Sequence, residues 1–179
     1  RIVTWNLNGI RAAHRKGLDG FIEKIDSDIW LFQEVRALPE QMPDNWNPPE
    51  KHEIIWHPAQ KKGYSGVSTW SRIGISDEGR GIKTNVDPDD SEGRVLHTKH
   101  GNLHCINIYL PNGGANIERQ KFKDKWLEDL FIWAKKFFLS FQNIGGFKLP
   151  FSYLSYFCHP YYKPLVVLAV FDLLMLNNI

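Results

Sequence analysis

The chain has 179 residues, enough for one domain that buries a sizeable core without disulfide help. Its 22 Lys and Arg against 20 Asp and Glu leave a formal charge of +2. That balance excludes a large basic field, so any contact with nucleic acid must come from local placement of charge. Two cysteines far apart in sequence, Cys105 and Cys158, fit a reducing compartment better than secretion, and Cys105 lies inside an apolar strand pattern where a small buried thiol is expected. The N-terminus opens at Arg1 without a Met and shows no basic segment followed by an apolar run, so no export signal is expected.

Taken in order, Arg1 to Asn6 reads as a strand. Gly17 to Ile25 then has the Leu18, Phe21, Ile22, Ile25 spacing of a one-faced helix, and Asp28 to Gln33 makes a second strand, which gives a β-α-β opening. His52 to His57 and Gly66 to Ser71 read as strands around the turn-rich Lys61-Lys62-Gly63-Tyr64. Arg94 to His100 and Leu103 to Leu110 form a hairpin through Gly101-Asn102, so antiparallel pairing is expected there. Asn116 to Phe138 predicts a helix, with Phe122, Trp126, Leu130, Trp133 and Phe137 recurring at three or four residues and Asn116 as its N-cap. The class is α/β with mixed or antiparallel sheets.

Beyond about Leu130 the composition changes. Residues 131–179 hold one acid, Asp172, and four lysines, among many Phe and Tyr with little periodicity and with Gly145, Gly146, Pro150, Pro160 and Pro164 as breaks. The apolar run Leu165 to Leu176 is interrupted by Asp172 and falls short of the roughly 20 residues that span a bilayer. No membrane association is expected. The expected division is a domain over residues 1–138 and an atypical aromatic tail over 139–179.

Three apolar strand patterns end in polar residues, Ile2 to Asn6, Ile29 to Glu34 and Ile106 to Asn112, which gathers polar side chains at one sheet edge. Glu34 emerges from a buried strand, where a carboxylate costs free energy unless a cation or a donor meets it. Metal ligation is one reading; a carboxylate satisfied by backbone N–H groups or by Arg36 is the other. Asn6 and Asn8 offer neutral oxygens to a hard cation or a phosphate, or else serve as turn residues. Tyr109-Leu110-Pro111-Asn112-Gly113-Gly114 brings a phenol and an amide to a place where the backbone can approach a ligand, unless the Tyr simply packs above a turn. Lys62 to Val67 has a similar build. Arg94 opens a strand, where it meets a phosphate or a nearby carboxylate.

Five segments occur in order: Val3-Thr4-Trp5-Asn6-Leu7-Asn8-Gly9-Ile10-Arg11, Leu31-Phe32-Gln33-Glu34-Val35-Arg36-Ala37, Gly63-Tyr64-Ser65-Gly66-Val67, Glu92-Gly93-Arg94-Val95 and Asn107-Ile108-Tyr109-Leu110-Pro111-Asn112. Together they resemble the exonuclease III and apurinic/apyrimidinic endonuclease family, within the wider endonuclease/exonuclease/phosphatase superfamily. The resemblance covers residues 1 to about 130 and implies part of a four-layered α/β sandwich, two sheets with outer helices. It implies a phosphodiesterase that cuts double-stranded DNA beside an abasic site or trims it from a 3′ end with Mg²⁺, or with Mn²⁺ in its place. By motif position Glu34 is the metal-binding carboxylate, with Asn6 beside it as metal ligand and catalytic group. Tyr109 is catalytic and faces the scissile phosphate. Asn8, Arg36, Tyr64, Arg94 and Asn112 bind DNA or support the site, with Asn8 standing where some members carry Asp.

The same resemblance implies a later strand ending in Gly-Asp-x-Asn and an Asp-His pair, and neither stands in this sequence. In the nearest echo, Lys163 to Asp172, Val170 takes the Asp position and Asp172 the Asn position. His159, in Cys158-His159-Pro160, matches no motif. The expectation is a truncated or mis-translated member with little activity of its own, or a non-catalytic DNA-binding or interaction module from that family, or another superfamily phosphodiesterase or phosphatase. An exposed sheet face would promote self-association or aggregation. The matching location is intracellular, cytoplasmic in a bacterium and nuclear in a eukaryote.

Overall fold

The computed structural model describes residues 1–44, 46–142 and 168–172, the last segment and 138–142 by their backbone alone. Two four-stranded sheets form. The first has strand order β1-β2-β4-β3, with β1 Ile2–Asn6, β2 Ile29–Gln33, β3 Glu53–His57 and β4 Val67–Ser71. β1 and β2 run parallel, as a β-α-β opening requires, and β4 lies antiparallel to β2 and β3. The second has order β5-β6-β7-β8, with β5 Asp77–Arg80, β6 Val95–His100, β7 Leu103–Ile108 and β8 Leu168–Asp172, all pairing antiparallel.

The strand residues explain the layering. β2 reads Ile-Trp-Leu-Phe-Gln and every residue is buried, because it is central in its sheet and covered on both faces. Trp30 and Phe32 point outward with Trp70 and are roofed by Leu7, Ile10, Leu18 and Ile22 from helices α1 (Ile10–Arg15) and α2 (Leu18–Ile25) and the turn before them. Ile29 and Leu31 point inward and meet Cys105 of the second sheet, as Val67 meets Leu96 and Tyr109. Ile106 and Ile108 point the other way, under Trp126 and Leu130 of α3 (Ile117–Gln142). The order is thus helix, sheet, sheet, helix, and the expected four layers are present. Burial raises the Cys105 thiol to about 12, an inert core group.

Most expected elements stand where the pattern placed them. Asn116 caps α3, its Oδ1 accepting the Arg119 N–H at 2.7 Å, and the β6–β7 hairpin turns at Gly101-Asn102. The last expected strand ends at Ile108, two residues early. α1 and β5 were not expected. α1 has six residues between Gly9 and Gly17 and one fully buried anchor, Ile10, too little to give a period. β5 is a charged edge strand, Asp-Glu-Gly-Arg, whose polarity suits an edge but hides it from a hydrophobic pattern. α3 continues past residue 138 to Gln142, and β8 joins β7 with Ala169 opposite Ile106. The rest of the aromatic tail, with Cys158 and His159, lies outside the described residues, as do 173–179. No helix among the described residues is long and apolar enough to cross a membrane.

Candidate active site

The C-terminal ends of β2 and β7 and the N-terminal ends of β4 and β6 open on one end of the sandwich. There the loops are laced together by backbone hydrogen bonds: Gly9 N to Glu34 O at 2.8 Å, Arg36 N to Ser65 O at 2.9 Å, Gly66 N to Glu92 O at 3.3 Å, and Tyr109 N to Arg94 O at 2.9 Å. Four non-glycine residues in these loops, Asn8, Glu34, Arg36 and Ser65, have φ between 43° and 56°. Such left-handed backbone costs free energy and persists only where its surroundings impose it. The chain here is bent to aim side chains.

Glu34 is 6% exposed. Its Oε1 accepts from Arg36 Nη2, and the Tyr109 phenol stands near enough for the charge of the same carboxylate to act on it. Burial, then the Glu34 charge, raise the Tyr109 hydroxyl to about 12, so at neutral pH it is a proton-bearing donor. The pairing with Arg36 is the plain alternative raised for Glu34, and it is realised. Asn6 sits opposite Gln33 in the β1–β2 register, and its Oδ1 accepts the Asn8 N–H at 3.0 Å. Asn6 and Glu34 are therefore on neighbouring strands at the same end, joined through the Gly9–Glu34 backbone bond. Glu34 and Asn6 are hard-oxygen donors, and among the described residues no three His, Cys, Asp or Glu gather into an all-protein cage. One carboxylate with a neutral oxygen suits a cation that keeps much of its water, as Mg²⁺ does.

Arg94 is 1% exposed. Its Nη1 donates to Tyr109 O at 2.8 Å, its Nε to Glu92 Oε2 at 2.6 Å and its Nη2 to Tyr64 Oη at 3.3 Å, while the guanidinium lies 4.9 Å from the Tyr109 ring centroid. Of the two fates read for Arg94, the nearby carboxylate is the one realised, in Glu92, and the same guanidinium also braces the Tyr109 and Tyr64 side of the site. The Asp90 carboxylate fixes the strand entry by accepting the Arg94 and Val95 N–H groups and bonding His57 Nε2 at 2.7 Å. Gly93 lies between them at φ +59°, where a Cβ would stand 2.5 Å from the His57 carbonyl oxygen. Asn112 is exposed and holds its own turn, Oδ1 accepting the Gly114 N–H at 2.9 Å.

Several participants were not assigned from the sequence. Arg119, in the first turn of α3, donates to Tyr64 Oη at 3.0 Å and to Glu92 Oε2 at 2.6 Å. Burial works against the Glu92 charge, but Arg119 and Arg94 outweigh it and hold the carboxyl below its usual range. Tyr64 Oη thus accepts from two guanidinium groups, which leaves its own proton free to donate outward. Arg11 and Arg15 are four residues apart on α1 and, with Arg36, Gly9 and Gly63, line an open recess of about 350 Å³ beside Glu34's loop. Exposed Lys61 and Lys62 adjoin it. The i, i+4 spacing of Arg11 and Arg15 was the available signal, hidden by the shortness of the helix.

Residues 3–140 match the Endonuclease/Exonuclease/phosphatase family. The chain is 33% identical over 132 residues to an exodeoxyribonuclease of Bacillus subtilis (strain 168), covering 73% of this chain and 50% of that one. It is 27% identical over 140 residues to a DNA-(apurinic or apyrimidinic site) endonuclease of Dictyostelium discoideum, covering 76% and 37%. Among solved structures, an AP endonuclease from Archaeoglobus fulgidus superposes with a TM-score of 0.64 at 25% identity, over 75% of this chain and 51% of that one. The chain spans about half the length, or less, of these relatives.

Proposed function

Since the chain belongs to the endonuclease/exonuclease/phosphatase family, we propose that it is the backbone-gripping portion of a Mg²⁺-dependent DNA-repair phosphodiesterase of the exonuclease III type, acting on double-stranded DNA at abasic sites or 3′ ends. The observation that carries this is the buried Glu34 carboxylate beside the Tyr109 phenol, at the edge where Arg11, Arg15 and Arg36 line an open recess. Glu34 and Asn6 would hold the ion, which when bound neutralises charge on a phosphoryl group; Mn²⁺ meets the same oxygen donors. Tyr109 stays protonated and, with DNA bound, turns its one O–H toward a phosphate oxygen as a hydrogen-bond donor. Tyr64, backed by Arg94 and Arg119, donates in the same way, and Asn8, Arg36 and Asn112 hold the strand alongside. A local cluster of Arg and Lys is what a nearly neutral chain needs to meet a polyanion.

The pairing of Glu34 with Arg36, which meets the carboxylate without a cation, supports a second reading, a DNA-binding module without hydrolysis. A nuclease assay on an abasic duplex with Mg²⁺ separates the two. Cleavage by this chain is expected near background, since Arg36 already meets the Glu34 carboxylate and no three His, Cys, Asp or Glu gather as metal ligands among the described residues. Robust cutting that Glu34→Ala abolishes would overturn the near-background expectation and favour the complete enzyme. Duplex affinity is expected to fall as salt rises, because phosphate contacts release counterions, and salt-independent binding sinks both readings. The division at residue 138, an intracellular location and self-association belong to the same proposal. For the last, β1 has no strand on its outer side among the described residues, and Trp5 on it is 38% exposed.

A further inference from the structure

Between the two sheets one polar knot lies at the end that carries Glu34 and Tyr109, and a second polar contact, between Ser71 Oγ and His100 Nδ1 at 3.1 Å, lies at the other end. Gln33 ends β2 and Asn107 lies near the end of β7, and both are fully buried. Gln33 Nε2 donates to Asn107 Oδ1 at 2.7 Å and to Thr4 Oγ1 and Leu31 O at 3.0 Å. Asn107 Nδ2 donates to Phe32 O at 3.1 Å and to Ser68 O at 3.0 Å. One side-chain pair thereby ties β7 to β1, β2 and β4.

Stability alone does not call for it. Two buried amides can be replaced by apolar groups of similar shape at little cost, and the knot is incompletely satisfied, Gln33 Oε1 having no hydrogen-bond partner. Its location gives the reason. Gln33 immediately precedes Glu34, and Asn107 is two residues before Tyr109 on the same strand face. Apolar faces accept several offsets of one sheet over the other, whereas directional hydrogen bonds fix a single one. We propose that Gln33 and Asn107 are positioning residues that set the offset between the sheets and so hold the Glu34 carboxylate beside the Tyr109 phenol. The inference rests on the role proposed above for those two groups.

The test uses the full chain with tyrosine labelled with ¹³C at Cζ. The Tyr109 signal is identified by its loss in Tyr109→Phe, and Glu34→Ala shows where it moves when the carboxylate is removed. In Gln33→Met/Asn107→Leu the signal is expected to move at least half as far in the same direction. A folded double variant with the signal at its wild-type position overturns the proposal. Where the double variant does not fold, Asn107→Leu alone, which removes the bonds to Gln33, Phe32 and Ser68 that cross between the sheets, is judged in the same way: movement supports the brace and a stationary signal overturns it. Mn²⁺ binding followed by electron paramagnetic resonance is the second arm, with roughly 10-fold weaker affinity expected in the variants, as for other residues that orient a metal ligand. If the wild type binds no Mn²⁺ in a Glu34-dependent way, the metal reading fails, and the Tyr109 signal still decides the brace.

Discussion

The two ends of the sandwich use their charges differently. At the end where β2 and β7 finish, Glu34, Asp90 and Arg94 are at most 6% exposed, and each is met by several donors or acceptors. At the opposite end Arg72 pairs with Asp26 and Asp28, and the terminal amine with Asp28, all in water's reach. Exposed pairs of that kind add little, because solvent and salt screen them. Buried ones carry a desolvation cost that apolar residues would avoid. Among the described residues the buried ion pairs gather at the end where β2 and β7 finish.

The contrast breaks most readily at Arg94. Arg94→Met leaves the Tyr109 carbonyl and part of Glu92 without a donor in a closed site, and should cost about 3 kcal/mol of unfolding free energy in urea. A cost below about 1 kcal/mol would place these charges in the same class as the exposed ones. Gly93→Ala forces a Cβ against the His57 carbonyl at a left-handed φ, and a loss of about 2 kcal/mol is expected by the same measurement. A smaller effect comes with acid, at the hairpin end of β6 and β7. His97 Nε2 lies 2.8 Å from His104 Nδ1 with the rings stacked under Phe137. Burial, with His104 beside it, lowers His97 to about 4, and burial lowers His104 and His100. These groups bind fewer protons folded than unfolded, so their contribution is complete above about pH 6.5 and is lost as pH falls toward about 4. Thermal midpoints should drop across that window, and less so in His97→Phe. Least of all, Arg72→Ala should leave the urea midpoint nearly unchanged, and any change should vanish in high salt. A large loss there would sharpen the comparison against us.

Most of the architecture was legible, because β2, β4, β6 and β7 are buried strands whose apolar runs and turn residues mark their own limits. α1 and β5 were not, since one depends on a single buried Ile10 and the other on edge pairing that its charged residues do not signal. At the site, Glu34, Tyr109 and Arg94 stood out because each ends or opens a strand pattern, and Tyr64 because it closes the turn-rich Lys61-Lys62-Gly63-Tyr64; the structure brings these four together. Asn6 and Asn8 lie beside them, and Asn112 is spent on its own turn. Glu92, Arg119 and Asp90 were missed as partners because ion pairs across 27 and 33 residues leave no local trace.

Cys105 gives this molecule an internal clock. Its thiol lies between the two sheets with no exposed surface and stays protonated far above physiological pH, so an alkylating reagent can reach it only when the layers part. With Cys158 replaced by Ser, the labelling rate would report how often that separation happens, one event at a time, in untreated buffer.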